Sequence, residues 1–414
     1  MKLSTTMKLI AATVFASGLG VGLGSTALAA EVVNVGLSTA LTGRVASLGQ
    51  SNKNGVELAI KKINADGGLL GKQIKLLTAD DEAKPALGAT NVRSFILTDK
   101  IKAIFGPVSS AVGTAEGMIA AQYHVPIFFS LSNDVDQTGK YFSKYAFQVV
   151  PDTYTEARSV AEYVAKRSES SHWKTYYTMS FDYSFGRSTV AEFLQGVKQS
   201  NVAIDLVGQQ WSAEGTSDFS QNIAAILAKK PDFLFLPLYG SDLITFTKQA
   251  EGAGLFKNMA VYGGYEEDTL QALGRDAPSG AISTSRAVPF YYGDSKELKD
   301  FTQAYYTEFH SWPTSWAITG YSAVETWAEG VRKAGSFDAD KVVAALSGAT
   351  IEGGLRGSFT LRECDHQADV PEYIGIISKD FNTKYGIHPL IDIEEIPTQH
   401  LMMSCKDKQA LRGQ

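Results

Sequence analysis

The chain has 414 residues, of which 44% are hydrophobic and 20% are charged, and its formal net charge is −6. This balance is typical of a globular protein that is long enough for two or more domains. The acidic excess argues against a nucleic-acid partner.

The N-terminal segment has the composition of a secretory signal peptide. Lys2 and Lys8 precede an apolar run over 9–23, and Ala27-Leu28-Ala29 forms a small-x-small cleavage site. We therefore predict a signal peptide over 1–29 and an exported mature chain. The apolar run is short and rich in glycine, which argues against a membrane-spanning segment.

Export would place the two cysteines in an oxidising compartment. Cys364 and Cys405 permit a single pairing, so we expect a disulfide in preference to two free thiols. Closing a loop of this size should stabilise the fold by roughly 3–4 kcal/mol. Two thiols without a Cys-x-x-Cys motif do not make a zinc site, and no metal is predicted.

Predicted strands and helices alternate over the first third of the mature chain. In order they are a strand over 32–38, a helix over 49–65, a strand over 74–79, a helix over 85–97, a strand ending at 105, a helix beginning at 109 or 110, and a strand over 125–129. The alternation is typical of a doubly wound parallel sheet.

A serine pair stands where the third of these helices begins. Ser109 and Ser110 follow a buried strand and the Gly106-Pro107 break. Hydroxyls and free backbone N–H groups at a helix N-terminus can bind a carboxylate at the edge of the sheet. The alternative is that one of the two serines is only an N-cap.

The same alternation then repeats, which predicts a second sheet of the same kind. Its elements are a helix over 153–167, a strand over 175–180, a helix over 188–199, a strand over 203–210, a helix over 219–229, a strand over 233–238, a helix over 244–253 and a strand over 259–262. An extended segment over 281–288 suits a crossing between lobes. Helices over 298–309, 315–333 and 340–349 follow, and the tail from 358 is strand-like.

Five segments carry a resemblance to a known family. They are VNVGLSTALTG, AIKKINADGGLLGKQIKL, GPVSSAVGTA, VPIFFS and FDYSFGRS. In these segments the chain resembles the type I periplasmic solute-binding proteins of ABC transporters, in the group that binds branched-chain amino acids, amides and urea. The glycine pattern of the second segment is the most specific of the five.

The resemblance implies an α/β fold of two doubly wound parallel-sheet lobes that are joined by a hinge of three crossovers. It implies a lobe one of 31–149 plus 281–355 and a lobe two of 150–280 plus 356–414. The implied function is that of a periplasmic receptor without catalytic activity or cofactor, which clamps a small ligand between its lobes. Its partner would be the permease of an ABC importer, and we expect a monomer.

The family's ligand contacts carry over to positions that follow the predicted strands. They are Ser109, Ser110, Ser130, Ser132, Asn133, Tyr183, Phe185, Tyr239 and Glu266. The serines would bind a carboxylate, Glu266 an α-ammonium, and the aromatic residues a hydrophobic side chain. Glu267 is the alternative to Glu266, and we expect one of the two to be solvated.

One departure from the family pattern leaves the ligand open. Residues 131–134 read Leu-Ser-Asn-Asp where many relatives have proline, alanine and threonine. Asp134 would repel a ligand carboxylate unless it points away as a helix cap. A hydrophobic amino acid is therefore our first expectation, and an aromatic acid, an amide or a urea-like compound is the alternative.

Two other function classes use similar features of the sequence. An amidase or hydrolase would need a nucleophile with a base, but the serine pair lacks the Gly-x-Ser-x-Gly elbow, and the six histidines form no His-Glu-x-x-His pair. An exported sensor domain would use the same clamp, and the sequence does not separate it from a transport receptor.

Overall fold

The computed structural model describes residues 31–412. The predicted signal peptide over 1–29 lies outside the described residues. The strands are β1 (Val32–Thr39), β2 (Gln73–Asp80), β3 (Ile104–Gly106), β4 (Ile127–Phe129), β5 (Ala146–Gln148), β6 (Thr175–Phe181), β7 (Asp205–Ser212), β8 (Phe233–Leu236), β9 (Ala260–Gly263), β10 (Ile282–Ser285), β11 (Thr350–Ile351), β12 (Phe359–Thr360), β13 (Glu372–Ile377) and β14 (Leu390–Ile396). The helices are α1 (Ala46–Ala65), α2 (Pro85–Leu97), α3 (Ser110–Tyr123), α4 (Thr153–Ser171), α5 (Ser184–Gln199), α6 (Ser220–Lys229), α7 (Gly240–Gly252), α8 (Glu267–Leu273), α9 (Lys296–Phe309), α10 (Ser315–Ala334), α11 (Ala339–Leu346) and α12 (Cys405–Leu411).

The strands form two large sheets, one in each lobe. The sheet of lobe one is parallel throughout and has the order β2-β1-β3-β4-β5. The sheet of lobe two has the order β14-β13-β10-β9-β8-β6-β7, in which β13 and β14 run antiparallel to their neighbours. Helices cover both sheets, so the predicted architecture of two doubly wound lobes is confirmed.

Helices α1 and α10 pack closely over the first sheet because each has a glycine at the contact. A Cβ atom on Gly55 would lie 1.9 Å from the carbonyl oxygen of Ala317. A Cβ atom on Gly320 would lie 2.5 Å from the carbonyl oxygen of Asn52. The backbones therefore approach to a distance that no larger residue permits at these two positions.

The chain passes between the lobes three times, as the resemblance implied. The passages lie at 149–152, at Arg286 and at 370–372. Each one joins a residue in the apolar core of one lobe to a strand or helix of the other. Three neighbouring passages of this kind form a hinge.

Two lobe boundaries differ from those implied by the resemblance. Strand β10 pairs with β9 and β13 in the second sheet, so lobe one resumes after β10 and not at residue 281. Leu361 and Ala368 pack in the core of lobe one, so the chain returns to lobe two at 370–372 and not at 356. An extended segment reads the same in sequence whether it is a strand or a crossing, which explains both shifts.

A disulfide and a buried ion pair hold the C-terminal segment against the rest of the chain near the hinge. Cys364 and Cys405 form the predicted disulfide, with their Cα atoms 5.9 Å apart. The bond holds α12 in place, and the fully buried Lys408 of this helix donates to the carboxylate of Asp152 at 2.7 Å. Helix α12 and helix α8 were not predicted, since each has only seven residues and carries a weak periodic signal.

Across residues 31–412, no helix has both the length and the apolar character that crossing a membrane requires.

Candidate ligand-binding site

A cavity lies between the lobes, where strands of both sheets reach their carboxyl ends. The space between its walls, including its open mouth, is about 530 Å³. It is lined by Leu48, Val108, Ser110, Leu131, Asn133, Glu156, Tyr183, Phe185, Pro237, Leu238, Tyr239, Tyr262, Gly264, Glu266, Thr284, Arg286 and Trp316. Six of the nine predicted contact residues are in this set.

The N-terminus of α3 forms one wall of the cavity. Ser110 is the first residue of this helix, and its Oγ accepts a hydrogen bond from the backbone N of Asn133 at 3.3 Å. The hydroxyl proton of Ser110 therefore remains free to be donated to a ligand. Ser109 is the N-cap; it is buried and is not among the residues that line the cavity.

The segment after β4 presents alternate residues to the cavity. Leu131 and Asn133 line it, whereas Ser130 and Ser132 point into lobe one, as expected for extended backbone. Their hydroxyls bond to Asn52 Oδ1 and Gln137 Nε2, each at 3.2 Å. The prediction that Ser130 and Ser132 contact the ligand is therefore not supported by their positions.

Asp134 does not face the cavity. Its Oδ1 accepts a hydrogen bond from the backbone N of Asp136 at 3.1 Å and so caps the short 3-10 turn Val135–Gln137. Burial raises the pKa of Asp134, although the bond from Asp136 opposes this shift. Asp134 points away as a cap, so it does not repel a ligand carboxylate in the cavity.

The predicted aromatic residues of lobe two form a second wall. The hydroxyl oxygens of Tyr183 and Tyr239 lie 2.5 Å apart, and the ring of Phe185 meets that of Tyr239 edge to face at 5.4 Å. Burial, and then the neighbouring Tyr239, raise the pKa of Tyr183 well above its usual value. The hydroxyl of Tyr183 therefore stays protonated, and because one hydroxyl of the pair donates to the other, one proton is left to donate to a ligand.

Glu266 faces the cavity from the start of α8. It is only 5% exposed, and the one hydrogen bond of its carboxyl group within the described chain is donated by the hydroxyl of Ser315. Burial raises the pKa of Glu266 well above its usual value; Arg286 opposes this shift and Glu267 adds to it. A cationic group placed in the cavity would favour the ionised form of Glu266.

Glu267 is buried as well, so the expectation that one of the two glutamates is solvated was wrong. Its carboxylate accepts from the backbone N of Ser315 at 2.9 Å and does not line the cavity. Burial raises the pKa of Glu267 to about 7, although the Ser315 bond opposes the shift. Both side chains are covered because the N-terminus of α10 packs against that of α8.

Arg286 and Glu156 were not predicted, yet they place opposite charges at the cavity. Arg286 donates from Nε to Glu156 Oε2 at 2.9 Å, and its Nη2 lies 2.7 Å from the same oxygen in an ion pair. Both side chains are less than a tenth exposed. The one sequence signal was an arginine within the otherwise uncharged extended segment over 281–288.

Direct contacts between the lobes show that the cleft is closed. Arg44 of lobe one pairs with Asp242 of lobe two at 3.4 Å. Ser47 and Trp316 of lobe one donate to the carboxylate of Asp268 in lobe two, at 3.2 and 2.9 Å. Trp316 was not predicted, and it covers the cavity from the start of α10.

The lining residues can bind a small molecule that carries both charges and an apolar portion. Within residues 31–412, no three or more His, Cys, Asp or Glu side chains are grouped so as to hold a metal ion. No histidine is among the described residues that line the cavity. The polar groups present serve hydrogen bonding and charge pairing.

Known proteins share both the sequence pattern and this architecture. The Leu/Ile/Val-binding protein homolog 8 of Brucella suis biovar 1 (strain 1330) is 26% identical over 357 residues, which cover 82% of this chain and 86% of that protein. A periplasmic binding protein from Burkholderia mallei has 22% identity and a TM-score of 0.82, covering 92% of this chain and 98% of that one.

A third similar protein was solved with a ligand. The solute-binding protein of an ABC transporter from Rhodopseudomonas palustris BisB5, in complex with 3,4-dihydroxybenzoic acid, has 24% identity and a TM-score of 0.78. The match covers 90% of this chain and 99% of that one. At these identities the solved structures show a shared fold.

A sequence profile built for a whole protein family identifies the family of this chain. The sequence profile described as periplasmic binding protein matches residues 32–382. This range includes both sheets except the last strand, all three passages of the hinge and every residue that lines the cavity. The chain therefore belongs to the periplasmic binding protein family, whose members are solute-binding receptors.

Proposed function

We propose that this chain is the periplasmic solute-binding receptor of an ABC importer and that it clamps one amino acid with a hydrophobic side chain. The observation that carries the proposal is Glu266, a buried carboxyl group at the cavity whose only described hydrogen-bond partner is the neutral hydroxyl of Ser315. A ligand ammonium would supply a positively charged hydrogen-bond donor, which Glu266 does not have among the described residues.

The opposite wall fits the other half of an amino acid. Ser110 has a hydroxyl proton to donate, and the first backbone N–H groups of the 14-residue helix α3 have no partner within the helix. Leu48, Val108 and Leu238 supply apolar surface for a hydrophobic side chain. The relative from Brucella suis is named for leucine, isoleucine and valine, which agrees with this choice.

An aromatic acid is the second candidate, because an arginine and an aromatic cage are also present. Arg286 lines the cavity, and Trp316 with the paired tyrosines would cover a ring. The similar protein from Rhodopseudomonas palustris holds such a ligand. Glu266 would then have to remain protonated, since it would have no cation to pair with.

We propose that the chain catalyses no reaction, because the hydroxyl of Ser110 has no base beside it in the cavity. Delivery to a permease, export to the periplasm and a monomeric state belong to the same proposal. An exported sensor would bind its ligand in the same way, and a permease encoded beside this chain would favour transport.

Thermal-shift screening tests the proposal most broadly. The mature protein is heated with hydrophobic amino acids, aromatic acids, amides and urea in turn. A bound ligand at about 100 times its dissociation constant should add roughly 2.7 kcal/mol to the free energy of unfolding. The proposal fails if no compound of these classes raises the melting temperature.

A further inference from the structure

Arg286 stands at the point where the second passage crosses the hinge. Ser285 before it ends β10 in lobe two, and Ala287 after it packs in the core of lobe one. The side chain of Arg286 is nearly buried and lines the cavity. This one residue therefore touches both the hinge and the proposed ligand site.

The guanidinium of Arg286 joins the two lobes. Its Nη1 donates to the carbonyl oxygen of Leu131 in lobe one at 2.7 Å. Its Nε donates to Glu156 in lobe two, its Nη2 forms an ion pair with the same carboxylate, and its Cζ lies 5.1 Å from the ring centroid of Trp316 in lobe one. Charge-assisted bonds of this kind are about twice as strong as neutral ones.

Arg356 and Glu372 lie beside this arrangement, and Arg356 bonds to the backbone of two of the passages. Arg356 donates from Nη2 to the carbonyl oxygen of Arg286 at 2.7 Å and from Nη1 to that of Val149 in the first passage. Glu372, in the third passage, is fully buried, and burial together with Glu156 raises its pKa well above the usual value. Although burial opposes the charge of Arg286, the surrounding glutamates raise the pKa of its guanidinium.

Compensation of the buried charge of Glu156 would not by itself explain these contacts. An arginine that only neutralised Glu156 would not need a hydrogen bond to lobe one or a position in the cavity wall. We propose that Arg286 is a positioning residue that couples occupancy of the cavity to closure of the hinge, an inference that rests on the proposed receptor function. Leu131 and Glu156 belong to different lobes, so opening separates the two acceptors that the guanidinium joins.

A bound ligand would cover the guanidinium and exclude water from its hydrogen bonds, which strengthens them. Release of the ligand then requires those bonds to break as the lobes part. The residue should therefore control the rate of release much more than the rate of association, and it should also set how far the empty lobes are closed.

The test compares Arg286→Lys with two matched variants. Lysine keeps the charge but cannot make both hydrogen bonds, to Glu156 and to Leu131, from one planar group. The double variant Arg286→Met/Glu156→Gln removes both buried charges together, so the fold is preserved without an unpaired ion. Arg158→Lys alters a similar arginine–glutamate pair, with Glu192, that lies within lobe two and away from the cavity.

Release of the best ligand is followed by stopped-flow measurement of the intrinsic tryptophan fluorescence, to which Trp316 at the cavity contributes. We expect release from Arg286→Lys and from the double variant to be roughly ten- to a hundredfold faster than from the wild type, with association changed by less than about threefold. Arg158→Lys should release at the wild-type rate. A wild-type release rate in the double variant would show that Arg286 only compensates Glu156 and would overturn the inference.

Small-angle scattering of the ligand-free proteins tests the role of Arg286 in closure independently of ligand binding. Arg286→Lys and the double variant should have a larger radius of gyration than the wild type and Arg158→Lys, even if no ligand is found. Equal radii in all four proteins would contradict the role in closure. Failure of the wild type to bind any compound would instead count against the receptor function alone.

Discussion

Three consecutive acids at the start of α8 are all buried, which is unusual for side chains of this type. Glu266, Glu267 and Asp268 each accept a hydrogen bond from the first turn of α10, through Ser315 or the indole N–H of Trp316. Burial raises the pKa of Asp268 to about 6, although the Trp316 bond opposes the shift. A carboxyl group that is easily protonated lines the cavity, and two more lie directly behind it.

The raised pKa of Glu267 makes stability depend on pH. The folded chain holds the proton to about pH 7, whereas the unfolded chain releases it near 4.5. The stabilising contribution is therefore fully present below about pH 4.5 and is lost as the pH rises to about 7, by an amount on the order of 3 kcal/mol. Urea unfolding at several pH values should show that the free energy of unfolding falls less between about pH 4.5 and 7 in Glu267→Gln than in the wild type.

Glu308→Gln is the control for this measurement, because Glu308 pairs with Lys61 at the surface. It should keep the wild-type pH dependence. An unchanged pH dependence in Glu267→Gln would contradict the assigned shift.

Ser110 and Ser109 allow a comparison of neighbouring residues. Ser110→Ala removes a neutral donor to a charged acceptor, so binding of a carboxylate ligand should weaken by roughly ten- to a hundredfold. Ser109→Ala should leave affinity close to the wild-type value, since Ser109 does not line the cavity. Calorimetric titration measures both, and equal losses in the two variants would contradict the placement of Ser110 at the ligand.

At the scale of elements, the strong periodic patterns were predicted well and the local orientation of the loops was not. The end of α1 at Ala65 and the strands before Ser110, Tyr183 and Tyr239 follow the sequence pattern closely. Ser130 was misplaced because side chains alternate after β4, and the register of that alternation depends on tertiary contacts.

The contact between α1 and α10 should tolerate no larger residue at Gly55. An added methyl group would meet the carbonyl oxygen of Ala317 and force the helices apart, so Gly55→Ala should lower the free energy of unfolding by roughly 1–3 kcal/mol. Gly252→Ala is the control, since its Cβ atom would meet nothing within 4 Å. Urea unfolding should show the control unchanged or slightly stabilised, and a stable Gly55→Ala would contradict the close approach.

At the scale of the molecule, the alternation of elements predicted two sheets, and the family resemblance implied the hinge of three passages and most of the cavity. It did not predict Arg286, Glu156 or Trp316, because these residues come together from different passages and helices. Glu156 and Arg286 are 130 positions apart, and nothing in either local pattern indicates the other. Such pairs depend on how the lobes meet, which single-sequence periodicity does not encode.

The central claim is that the closed lobes hold a ligand ammonium against Glu266. Calorimetric titration of the best amino acid into the wild type, Glu266→Gln and Glu267→Gln tests it most directly. Glutamine removes the anion and leaves the ammonium buried without a partner, so Glu266→Gln should lose roughly 2–5 kcal/mol of binding free energy. Glu267→Gln should bind nearly as the wild type does. Unchanged affinity in Glu266→Gln would contradict the claim.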